Sequence, residues 1–134
     1  MFQPRNIWLI GVYIASLAFL SLNPWFRPDS RQAIGFITWD LVDHAVAYGL
    51  MAFLLLSAFK NPAKGVIPSL VTLLLSGLLG LLLEFGQFWF SPGRTFSLSD
   101  AYANVFGSCL GVAAFWCVRL ALTVFRPGRD GCCP

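Results

Sequence analysis

Four apolar runs, at residues 6–22, 39–59, 66–90 and 99–125, fill most of this 134-residue chain. At about 1.5 Å of rise per helical residue, each can cross a hydrocarbon core roughly 30 Å thick, the first at the short end of what suffices. A soluble domain covers its surface with charge, yet 11% of this chain is charged, 57% is hydrophobic, and mean hydropathy is +0.73. The missing polar surface must face lipid. Inside lipid a helix satisfies its own backbone where no water can. The expected fold is therefore all-α, a four-helix polytopic transmembrane bundle.

Breakers and bases separate the runs. Asn23-Pro24 stops the first, Lys60-Asn61-Pro62 the second and Arg126-Pro127-Gly128 the fourth. Pro68 falls in the first turn of the third, where a missing N–H does little harm. One transmembrane domain thus occupies 1–125, and the polar 126–134 reads as a disordered cytoplasmic tail. The first run has the outline of a signal peptide, but it is long for an h-region and Leu22-Asn23-Pro24 makes a poor cleavage site, so a retained helix is expected. Residues Asn23 to Phe26 read as an interfacial turn with an aromatic belt.

The loop bases set orientation. Arg5, Lys60, Lys64, Arg126 and Arg129 lie on one side, and Arg27, Arg31 and Arg94 on the other; five against three favours N-in/C-in. Arg119, about two turns before the fourth helix ends, can snorkel to the cytoplasmic interface. The net charge of +3 is explained by these topology signals. No basic run or zinc spacing is present, so no nucleic-acid partner is expected. Cys109 and Cys117 sit inside an apolar run and Cys132 and Cys133 in the tail, with no metal or prenylation spacing.

Ionisable groups are costly in membrane helices, so each is a functional hypothesis by default. The second helix opens with Asp40, Asp43, His44 and Tyr48; the third closes with Glu84 and Gln87; then come Arg94, Ser97, Asp100 and Asn104. Helices two and four enter at the face where helix three leaves, so all three deliver polar groups to one layer, the outer one in the N-in reading. Asp40, His44 and Tyr48 step by four and stack on one helix side, with Asp43 off that stripe. Ser76, Gly80, Glu84 and Gln87 do likewise, and Asn104, Gly107, Ser108 and Gly111 form a stripe containing Gly-x-x-x-Gly. Small residues permit close helix approach in lipid, so these polar side chains should point into the bundle. Structural roles compete: Ser97 and Asp100 match a capping box, Asp40 suits a helix N-terminus, and His44 has the ordinary role of a hydrogen-bonded interior residue. Helix capping does not explain Glu84.

The order Asp40-x-x-x-His44-x-x-x-Tyr48, Glu84-x-x-Gln87, Arg94, Asp100-x-x-x-Asn104-x-x-Gly107-x-x-x-Gly111 resembles the VanZ-like membrane proteins. The resemblance covers the second to fourth helices. One departure is Leu41, where the family usually has Lys after the first Asp, so a role for that Lys is not carried over. The family's namesake is associated with teicoplanin resistance, and no activity is established for the family at large. The resemblance implies a multi-pass protein of the bacterial cytoplasmic membrane with a site at the cell envelope.

Three readings of the cluster follow. In the first, Asp40, His44, Tyr48, Glu84, Gln87, Arg94, Asp100 and Asn104 bind or shield an envelope glycolipid, a cell-wall precursor or another lipid-linked ligand. In the second, His44 or Glu84 serves as acid or base of a membrane-embedded enzyme acting on a phospholipid or isoprenoid-linked substrate, although no nucleophile-plus-base motif is visible. In the third, the cluster only pins helix register. His44, Glu84 and Asp100 are suitable ligand types, but no metal and no cofactor is expected. Membrane lipids are the expected partners, and a homo-oligomer is left open.

Overall fold

The computed structural model describes residues 4–23, 32–34, 37–59, 66–90 and 97–125, and within them the chain is helical save for one small hairpin. The helices are α1 (Pro4–Leu22), α2 (Trp39–Ala58), α3 (Ile67–Phe90) and α4 (Leu98–Val124). The sequence boundaries lie within two residues of each. Helices α2, α3 and α4 are long and apolar enough to cross a membrane, while α1 contributes the shorter apolar stretch Ile7–Leu22. Strands β1 (Gln32–Ile34) and β2 (Ile37–Thr38) pair antiparallel just before α2. The sequence reading contains no such hairpin, since strands this short leave no periodicity.

The bundle keeps its polar side chains inside, among apolar ones, and turns large apolar residues outward. Leu74 is 71% exposed and Trp89 77%, whereas Thr72, Ser76, Glu84, Gln87, Asn104 and Ser108 are all buried. In lipid it costs nothing to leave Leu and Phe outside, and the polar groups are sheltered from hydrocarbon. Ser76 and Ser108 donate to the carbonyls of Thr72 and Asn104, four residues back, so their hydroxyls are satisfied within their own helices.

Helices α2 and α4 run parallel and touch through backbone. A Cβ added at Gly107 would overlap the Ala45 carbonyl, and one at Gly111 the Gly49 carbonyl. Helix α3 runs antiparallel to both: Gly80 faces Tyr48 and Asn104, and at the far end Trp116 Nε1 donates to Ser69 Oγ at 3.2 Å. Helix α1 packs its Ile10, Tyr13, Ile14, Leu17 and Ala18 side onto a core of Tyr48, Met51, Leu55 and Leu83. Tyr13 donates to the Ala47 carbonyl at 2.8 Å, a bond between helices that in lipid averages about 0.6 kcal/mol. The first helix is thus part of the bundle.

Candidate functional site

Two N-caps set the angle at which the acidic residues enter. Thr38 caps α2, its side chain accepting from Leu41 N at 3.4 Å, and Ser97 caps α4, accepting from Asp100 N at 3.3 Å. Asp40 and Asp100 therefore both stand in a first turn, where the partial positive charge of the helix end favours a carboxylate. Both are half-buried. Ser97 plays the capping role read from the sequence. Thr38 was missed there, although a Thr immediately before an apolar run is an N-cap signal.

One turn deeper, His44 joins three helices. Its Nδ1 lies 3.0 Å from Asn104 Oδ1 on α4 and 3.8 Å from Glu84 Oε1 on α3. Its Nε2 lies 3.7 Å from Asp40 Oδ1 on its own helix. Acceptor oxygens stand near both ring nitrogens, the shortest contact being Nδ1 to Asn104 Oδ1; in the tautomer with its proton on Nδ1 that contact is a hydrogen bond and Nε2 carries the lone pair. Glu84 is 2% exposed and Asn104 2%, so the cluster is sunk in the bundle rather than spread at its rim.

The remaining candidates fall around this centre. Tyr48 is buried a turn below His44, against Gly80 and beside Asn104: a Cβ at Gly80 would stand 3.2 Å from Tyr48 Cε1 and 3.0 Å from Asn104 Nδ2. Gln87 is buried a turn beyond Glu84. Neither hydrogen-bonds His44. Asp43 is exposed, off the stripe. The carboxylate of Asp100 comes within 4.8 Å of the ligand atoms of Asp40 and His44. This trio differs from the one weighed from sequence. Asp40 takes the place of Glu84 because the two acids lie by opposite ring nitrogens of His44. Arg5 falls within α1, while Arg94, Cys132, Cys133 and the other loop bases lie outside the described residues.

An apolar groove of about 810 Å³ runs between α2 and α4. Its upper walls include Leu41 and Ser99, next in sequence to the two acids, and it continues past Ala103 to Phe53 and Leu110. From Leu41 to Phe53 that is about 18 Å along the helix axis, enough for a substantial part of a lipid chain.

The motif order that helices α2 to α4 present extends beyond a local match: a model of the VanZ/LLP1 family matches residues 7–121, most of the chain and all four helices. The chain belongs to the VanZ/LLP1 family. It is thus a VanZ-like protein whose helices suit a membrane, with Asp40, Glu84, Asp100 and Asn104 of its motif gathered round His44. No curated protein and no solved structure matches it.

Proposed function

We propose that this VanZ-family protein binds a lipid or lipid-linked envelope molecule, with the polar head at the His44 cluster and an apolar chain in the groove between α2 and α4. The observation that carries this reading is the pairing of a buried polar centre drawn from three helices with an apolar groove of about 810 Å³ between α2 and α4, whose lining includes Leu41 and Ser99, the sequence neighbours of Asp40 and Asp100. A purely structural pin would need the polar contacts but not the groove. Donors and acceptors in a low-dielectric site would select a polar headgroup, because leaving them unmatched is expensive. The groove supplies apolar contact without selecting chain length.

The test fills the groove. Val46 lines the groove, is 64% exposed, and stands two residues on from His44, on another face of α2. Val46→Trp should lower the amount of lipid carried by the purified protein, read by native mass spectrometry in a mild detergent, with helical content unchanged. Equal lipid retention in the two proteins would remove the groove from the reading.

The site belongs to the outer face if both termini are cytoplasmic, the orientation that five loop bases against three favours. A reporter fused at Lys64 is then expected to signal from the cytoplasm and one at Ser91 from outside. A cytoplasmic signal at Ser91 would sink the surface-site reading. On the outer face, bound cell-wall precursors would be shielded from a glycopeptide such as teicoplanin, which gives the family's namesake association a physical route.

One feature favours an enzyme as the second reading: His44 has a carboxylate near each ring nitrogen, Asp40 at 3.7 Å and Glu84 at 3.8 Å. A histidine so placed can take a proton at Nε2 while Glu84 stabilises the charged ring. Turnover of an isoprenyl phosphate or phospholipid by the purified protein, lost in His44→Gln, would establish it.

A further inference from the structure

We propose that Asp40, His44 and Asp100 bind a six-coordinate divalent cation of the Mn2+ kind. One ligand atom from each lies within 4.8 Å of the other two. Bonds of about 2.0–2.6 Å from hard divalent ions to oxygen put opposite ligands roughly 4 to 5 Å apart, so one ion can reach all three with small side-chain adjustment. Structural zinc is closed by four protein ligands, mostly Cys and His, whereas this trio supplies three with no thiolate. Two carboxylates suit Mn2+, Mg2+ or Ca2+, and the imidazole shifts the preference toward Mn2+.

A second observation, outside the trio, makes this more than two acids at two helix starts. The dipole accounts for a carboxylate in each first turn, but not for both converging on one histidine. That histidine is already dressed as metal ligands usually are. Its Nδ1 lies 3.0 Å from Asn104 Oδ1 with the Glu84 carboxylate behind at 3.8 Å, the outer partners that hold a ligating ring; the tautomer that donates from Nδ1 to Asn104 turns the lone pair of Nε2 toward Asp40. Asn104 and Glu84 are both buried, so this outer shell is held by the bundle and does not depend on solvent. Ser97 and Thr38 fix the two first turns that aim the aspartates. The cation proposal does not rest on the ligand reading above, and it is tested without lipid.

The full chain is purified in neutral detergent, stripped of lipid and metal, and titrated with Mn2+ while electron paramagnetic resonance reads the free ion. The expected result is about one bound Mn2+ per chain, with affinity at least ten-fold lower in Asp100→Asn and in Asp40→Asn, each checked for helical content. Because both residues are half-buried at helix starts whose caps remain, at least one variant should stay folded; a thermal shift on adding Mn2+ to wild type that is absent from the folded variant gives a second reading. Absence of stoichiometric binding, or binding that neither substitution weakens, would overturn the assignment. Binding with no lipid retention would uphold it while removing the lipid reading.

Discussion

Gly107→Ala is expected to strip most of the protein from the membrane. The new methyl would overlap the Ala45 carbonyl on α2, and backbone cannot rotate aside as a side chain does. Helices α2 and α4 would have to separate along the seam that also seats Gly49 against Gly111. Overpacking of a core with movable neighbours costs about 1–3 kcal/mol; here the cost should reach about 3 kcal/mol or more. The same mutation at Gly77, where nothing lies within 4 Å of the added methyl, should leave abundance near wild type. Quantified membrane levels of the two variants, with unfolding in detergent as a check, decide the matter. Similar levels for both would mean that the parallel α2–α4 contact does not hold the bundle together.

His44→Gln and Glu84→Gln are expected to do the opposite, sparing the fold and removing the function. Glutamine at 44 can still reach Asn104 with an amide, and glutamine at 84 keeps the volume of a side chain that is 2% exposed. The helices retain their small-residue seams, so abundance should stay within about two-fold. Hydrogen bonds that involve a charged group contribute about 1.5–3 kcal/mol, which at about 1.4 kcal/mol per decade is a loss of ten- to a hundred-fold in affinity for the polar head. In cells that owe teicoplanin tolerance to this protein, both variants should fall to the susceptibility of cells lacking it. If abundance and phenotype fall together in every variant, the cluster is a structural pin.

Much of this was legible in the sequence because lipid imposes simple rules. Apolar length and the proline and basic breakers place the helix ends within two residues, and the spacing of Ser76, Gly80 and Glu84, or of Asn104, Gly107 and Gly111, already marks the buried faces. What the stripe packs against was not legible. Ala45 and Gly49 look like filler between apolar residues, and only the assembled bundle shows that they meet Gly107 and Gly111 in parallel. The role of α1 was hidden for a similar reason: Tyr13 reads as one more aromatic until its hydroxyl finds the Ala47 carbonyl. The trio Asp40, His44 and Asp100 needed three-dimensional facts too, since sequence spacing does not say which ring nitrogen each acid approaches.

The central question is whether the buried polar centre holds a headgroup. The most direct measurement is native mass spectrometry of the wild-type protein and of His44→Gln, purified side by side in the same mild detergent. Wild type should carry about one lipid or lipid-linked molecule per chain, and His44→Gln, equally helical and equally abundant, should carry at least ten-fold less. Equal occupancy in the two proteins would contradict headgroup binding at this centre.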